Sequence, residues 1–216
     1  MKKIIIPILI VAILGIVGFL VLKGQPKEEK TLQPQIETKM PEVKGKKAVM
    51  IIAFRDFRDE EYFVPKEILE KAGIEVKTAS NKIGTAIGAD GGDTNVDLLI
   101  SQIKVSDFDA IIFVGGPGCL DALDNEDSYK VARETVSQNK VLAAICISPV
   151  ILAKAGVLKG KRATVWNDFA KTQAKILEKE GAIFEGTPVV VDGKIITANG
   201  PKAAKEFGNT ILELLK

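Results

Sequence analysis

The stretch Val141 to Gly156, VLAAICISPVILAKAG, constrains the fold more than any other part of this chain. It opens with an uninterrupted apolar run, Val141–Ile145, which fits a strand buried on both faces. Cys146 follows, and the pattern then becomes helical. Ser148 suits an N-cap, Pro149 the first helical position and Gly156 the C-cap. A cysteine at such a corner lies where free helix N–H groups point and where the helix dipole is positive. That field favours thiolate, the nucleophilic form. Ala144 and Ser148 are small, as a sharp nucleophile-bearing turn requires. The competing reading is a structural cysteine buried in a core strand.

The same alternation runs from Lys47 to Lys216. Ala48–Phe54 and Ala110–Val114 read as buried strands, Glu75–Ala79 and Arg162–Val165 as further strands. Helical patterns cover Asp59–Ala72, Asp127–Gln138, Phe169–Glu180 and Lys202–Leu215. A Gly-rich segment, Asn81–Asp93, suggests a hairpin pairing Thr85–Ile87 with Val96–Leu99, and Asp192-Gly193 turns a second between Val189–Val191 and Ile195–Ala198. Strands alternating with helices predict an α/β fold around a mainly parallel sheet covered on both faces. Ligands in such folds sit at the carboxyl ends of the strands.

The N-terminus reads as a separate object. Residues 4–22 carry no charge and are almost all aliphatic, and as a helix they span about 28 Å, close to a bilayer core. A cleaved signal peptide is the alternative. The run exceeds a usual signal core, and no small-x-small cleavage site precedes Lys23, so residues 1–23 are expected to form an uncleaved single-pass membrane anchor. The short basic head, Lys2-Lys3, favours an extracytoplasmic domain. Residues 24–46, rich in Lys, Glu, Gln and Pro, read as a flexible linker, and residues 47–216 as one globular domain.

Composition removes several chemistries. The chain contains no histidine, which excludes Ser-His-Asp and Cys-His catalysis and His-ligated zinc. Two cysteines, Cys119 and Cys146, cannot build an all-thiolate metal site. No metal and no cofactor is expected. A net charge of +2 gives no indication of nucleic-acid binding.

Two further features belong near the cysteine. Gly115-Gly116-Pro117-Gly118 turns off a strand tip. It matches no phosphate-loop pattern. It suits either a plain tight turn or half of an oxyanion hole, in which the Gly116 and Ile147 amides face one developing negative charge. Glu61, four residues before Pro65, suits a carboxylate leaning over the strand ends, although Glu60 and Glu61 also read as first-turn charges complementing the helix dipole.

With these residues in place, the chain resembles the ThiJ/PfpI superfamily. The resemblance rests on A-I-C-x-x-P-x-x-L-A-x-A-G-x-L-K-G-x-x-A-T (Ala144–Thr164), E-x-x-x-P (Glu61–Pro65), Gly115-Gly116 and I-T-A-N-G-P-x-A-A-x-E-F (Ile196–Phe207), and spans Lys47–Lys216. It implies a flavodoxin-like three-layer sandwich, dimeric or higher. It makes Cys146 the nucleophile, Glu61 the acid bonding the sulfur, and the Gly116 and Ile147 amides the oxyanion hole. Gly115, Pro117 and Trp166 would line the site. Family activities include 2-oxoaldehyde hydration, deglycation, amide hydrolysis and chaperoning. PfpI-type members carry histidine directly after the cysteine. Here that position is Ile147, so this chain resembles a branch without the Cys-His pair, and Cys-His protease activity is not expected.

The resulting expectation is a membrane-tethered protein acting on small reactive carbonyls or their adducts through Cys146 and Glu61. The alternatives are a redox-sensing or chaperone-like stress protein that uses oxidation of the same cysteine, and a binding module with a vestigial elbow. Cys119 is weighed as a resolving thiol against an incidental small residue, and Asp168 as a triad acid with no histidine to orient.

Overall fold

Residues 43–216 are described by the computed structural model. The expected anchor (4–22) and most of the expected linker lie outside the described residues. Among the described residues, no helix is long and apolar enough to cross a membrane.

The first half of the domain contains β1 (Lys47–Ile52), β2 (Arg55–Phe57), α1 (Asp59–Lys71), β3 (Glu75–Ser80), β4 (Thr85–Gly88), β5 (Asp93–Asn95), β6 (Leu98–Leu99) and β7 (Ala110–Phe113). The second half continues with α2 (Cys119–Leu123), α3 (Glu126–Ser137), β8 (Val141–Ile145), α4 (Pro149–Lys154) and β9 (Arg162–Ala163). It closes with α5 (Thr172–Lys179), β10 (Ile183–Phe184), β11 (Val189–Asp192), β12 (Ile195–Ala198) and α6 (Ala204–Leu215).

Seven strands form the main sheet in the order β11-β12-β8-β7-β1-β3-β6, parallel except that β11 runs antiparallel to β12. The apolar runs occupy its centre because both of their faces are covered. Val49, Ile51, Ile111, Phe113, Leu142 and Ala144 alternate into one core, which they share with Val131, Ile151 and Leu177 of α3, α4 and α5. Met50, Ile52, Ile112, Ala143 and Ile145 alternate into the other, against Tyr62 and Leu69 of α1 and Phe207 and Ile211 of α6. Each fully buried Val, Leu, Ile, Met or Phe side chain among these contributes about 1.5–3 kcal/mol. Helices α1 and α6 approach closely at Gly208, where a Cβ would stand 2.9 Å from the Pro65 Cα. This is the expected flavodoxin-like three-layer sandwich.

From β1 the chain passes to β3 on one side and later to β7 on the other, so the winding reverses between β1 and β7. Crevices form outside the carboxyl ends of parallel strands at such a reversal. The segments leaving β1, β7 and β8 all emerge there.

Three local expectations are corrected. Thr85–Gly88 pairs with Asp93–Asn95 and, in parallel, with Arg55–Phe57, making a separate three-stranded sheet. The Asp59 carboxylate accepts from the amides of Asp90 and Gly92 and tightens the turn, so the return strand begins earlier than its apolar residues suggest. Leu98–Leu99 joins β3 as the edge of the main sheet instead. The helix expected from Phe169 begins at Thr172, because Asp168 accepts from the Thr172 amide and hydroxyl at that point, leaving Phe169 fully exposed.

Candidate active site

Three chain segments meet at the reversal, and backbone hydrogen bonds fix them together. After β1, the Arg58 amide donates to the Gly115 carbonyl at 3.0 Å, joining the start of α1 to the turn after β7. In the first turn of α1, Glu61 shares its buried side with Tyr62, Pro65 and Leu69 and is fully enclosed. Glu61 Oε2 accepts from the Gly115 amide at 3.1 Å. The first-turn surface charge is therefore Glu60, which is exposed, while Glu61 points inward.

Glycine is required at the turn. A Cβ on residue 115 would lie 2.5 Å from the Cys146 Cβ and 2.7 Å from Glu61 Oε2. Gly116 has φ +119°, and a Cβ there would stand 2.4 Å from the Arg58 nitrogen. The double glycine lets acid, turn and sulfur close to contact.

Cys146 occupies the corner between β8 and α4 with φ 65°, a left-handed conformation that L-residues other than glycine seldom adopt. Its surroundings hold it there. Its amide donates to the Ala198 carbonyl at 2.8 Å, and its carbonyl accepts from the Trp166 amide at 2.8 Å. Ser148, expected as an N-cap, uses its hydroxyl differently. Oγ accepts from the Ile145 amide at 3.0 Å and lies 2.9 Å from the Phe113 carbonyl, pinning the ends of β7 and β8 together beneath the elbow.

The cysteine is 9% exposed and lies at the base of a cavity of about 230 Å³. Arg58, Gly116, Pro117, Ile147, Trp166 and Pro201 line the cavity. Trp166 and Pro201 also wall a larger neighbouring cavity of about 640 Å³. The expected site residues are thus brought together: Cys146 with Glu61 beside it, Gly115 beneath, and Gly116, Pro117, Ile147 and Trp166 around the opening.

Burial pushes the Glu61 carboxyl from its ordinary 4.5 up to about 7, against the opposing effects of its hydrogen bond with Cys146, the Gly115 amide and the Arg58 charge. Its Oε1 is enclosed and finds no hydrogen-bond partner among the described residues; Oε2 takes the Gly115 amide, and the carboxyl lies near enough to the Cys146 thiol for each to shift the other. Burial also raises the Cys146 thiol, and the Glu61 charge and hydrogen bond raise it further; the Gly116 and Ile147 amides act in the opposite direction. The expectation that the corner alone favours thiolate is corrected. The amides do bear on the sulfur, but burial and an ionised Glu61 outweigh them.

Two residues take other roles. Cys119 is fully buried in the core formed with α3 and α4, whereas Cys146 belongs to the core on the α1 side. Enclosure raises its thiol well above the ordinary value, which fits a packing residue and not an accessible resolving thiol. Asp168 is exposed and holds the start of α5. Sequence reasoning missed Arg58 as a wall of the cavity and Ser148 as a clamp; the charge-dense Arg55–Glu61 segment was the available signal for the first.

A cysteine on a strained strand-to-helix corner, backed by a buried acid at a sheet reversal, defines an α/β protein of the cysteine-elbow class. The chain belongs to the DJ-1/PfpI family, whose model matches residues 46–214. It is 41% identical over 179 residues to a Methanocaldococcus jannaschii protein described as uncharacterised, covering 82% of this chain and 86% of that protein. It is 32% identical over 168 residues to a deglycase of Pyrococcus abyssi, covering 78% and 99%. The crystal structure of a ThiJ/PfpI domain protein from Brachyspira murdochii superposes with a TM-score of 0.75 at 35% identity, covering 82% and 98%. With no histidine anywhere in the chain, the elbow has no imidazole partner.

Proposed function

We propose that this protein adds the Cys146 thiol to small reactive carbonyls or their adducts, in a glyoxalase- or deglycase-type reaction that uses Glu61 in place of histidine. The observation that carries the reading is the enclosed Glu61 carboxyl against the Cys146 thiol, with the Gly116 and Ile147 amides on the same sulfur. The deglycase relative supports it.

The chemistry follows from these groups. Glu61 takes the thiol proton as sulfur attacks the aldehyde carbon; a C–S bond forms and the carbonyl π pair moves to oxygen. The two amides stabilise that oxyanion. Glu61 returns the proton and leaves a neutral hemithioacetal. For a 2-oxoaldehyde, the same carboxyl carries the C1 proton to C2 while the C1 hydroxyl proton passes to the C2 oxygen, and water hydrolyses the resulting thioester to a 2-hydroxy acid and the free thiol.

The test is methylglyoxal turnover by the wild type, Cys146→Ala and Glu61→Gln. Turnover lost in both variants supports the reading, and turnover retained in either one overturns it. A redox reading rests on Glu61 Oε1, which is free of nitrogen and oxygen donors and so open to an oxygen added to the sulfur by a peroxide. No turnover, together with peroxide-driven sulfinate at Cys146, favours that reading. The apolar run at 4–22 anchors the domain as a single pass, outside the cytoplasm, and the domain works as a homo-oligomer. Protease accessibility in intact cells tests the first, and mass in detergent the second.

A further inference from the structure

We infer that Arg58 makes the Cys146 cavity selective for carbonyl substrates that carry a carboxylate beside the reactive carbon. This rests on the reading above, because it names the substrate class of the same site. Among the residues lining the cavity, Arg58 is the charged one. Its Nη1 bonds both oxygens of Asp90, at 3.1 and 3.0 Å, and among the described residues no acceptor takes Nε or Nη2. Asp90 lies toward solvent, with its side chain 58% exposed, and anchors one side of the guanidinium while leaving the other donors available.

The position of Arg58 is built into the site. Its amide bonds the Gly115 carbonyl, and the absence of a Cβ at Gly116 lets that amide sit against the turn. The cationic head is close enough to Glu61 and Cys146 for both to sense its charge. A guanidinium with two free parallel donors matches a planar carboxylate. The cavity, about 230 Å³, admits only a few-atom substrate. A short 2-oxo acid aldehyde such as glyoxylate would place its carboxylate on Arg58 and its aldehyde carbon over the sulfur. A neutral 2-oxoaldehyde would leave the Arg58 donors facing water.

The experiment uses the full chain and a probe that needs no turnover. Cys146 is alkylated with iodoacetate or with its neutral near-isostere iodoacetamide, and the site of modification is located by peptide mass. In each case a C–S bond forms, iodide leaves and the thiol proton passes to solvent. The quantity read is the iodoacetate-to-iodoacetamide rate ratio, divided by the same ratio for a free small thiol. Both reagents meet the same sulfur, so any change in its ionisation cancels. One charge-assisted bidentate contact predicts a wild-type value of about tenfold or more. Arg58→Met is expected to bring it within about twofold of unity, and Arg58→Lys to give an intermediate value, because lysine restores charge without the fork. A wild-type ratio near unity, or a ratio unchanged in Arg58→Met, overturns the inference. If the ratio behaves as expected but Cys146 neither turns over methylglyoxal nor forms a hemithioacetal with glyoxylate, the anion selectivity stands and the carbonyl reading fails.

Discussion

Replacing Glu61 by glutamine should change how stability depends on pH, by an amount the structure sets. The carboxyl is fully enclosed, and burial holds it protonated up to about pH 7, where its ordinary value is 4.5. The folded protein therefore keeps a proton that the unfolded chain gives up. A folded-state value raised above the unfolded one contributes stability that is complete below pH 4.5 and is lost as pH rises to about 7. One proton corresponds to about 1.4 kcal/mol per pH unit, so the window amounts to about 3 kcal/mol. Glutamine does not titrate and keeps an oxygen for the Gly115 amide. The wild-type minus Glu61→Gln difference in unfolding free energy should fall by about 3 kcal/mol between pH 4.5 and 7 and level off above it. Urea unfolding of the full chain, followed by fluorescence of Trp166, the single tryptophan, measures this. A difference that stays flat through that window refutes the argument that burial governs this carboxyl.

Two other substitutions test how the site is assembled. Gly115→Ala inserts a methyl group 2.5 Å from the Cys146 Cβ and 2.7 Å from Glu61 Oε2. It should separate acid from sulfur, lowering carbonyl turnover about a hundredfold and stability by about 1–3 kcal/mol, as turnover assays and urea titration would record. Ser148→Ala strips the buried Ile145 amide and Phe113 carbonyl of their hydroxyl partner. A loss of about 1–3 kcal/mol in the urea titration is expected, and Cys146 alkylation should become less selective between reagents as the elbow loosens.

How much of this was legible in the sequence depended on whether a local signal existed. The central strands were legible because burial on both faces forces continuous apolar runs such as Ala110–Phe113 and Val141–Ile145. The elbow was legible because a cysteine between such a run and Ser-Pro has few other places to go. Strand β5, Asp93–Asn95, is polar throughout, and its pairing follows from the Asp59 contact across the turn, which periodicity cannot report. Glu60 and Glu61 look alike as residues. Only the phase set by Tyr62, Pro65 and Leu69 packing inward determines which carboxylate is enclosed. The roles of Arg58 and Ser148 arise from segments that meet in space, and no single stretch contains both partners.

The absence of histidine changes the kind of site this is. A thiol paired with imidazole can ionise to a thiolate and an imidazolium, opposite charges that attract. A thiol paired with a carboxyl cannot, because two anions would repel in a buried space. Cys146 and Glu61 therefore hold one proton between them near neutral pH: thiol with carboxylate, or thiolate with carboxylic acid. The Gly116 and Ile147 amides favour the second arrangement, and the Glu61 value near 7 keeps the acid form accessible at physiological pH. In the proposed reaction the nucleophile is reached by proton transfer inside the pair and not by release of a proton to solvent. Once the carboxyl has released its own proton, its charge makes the thiol harder to ionise to solvent. Arg58 lines the same cavity, where its charge lowers the cost of the anionic pair and would meet an anionic substrate. One cation therefore serves both the sulfur and the ligand, and the alkylation ratio separates these two effects.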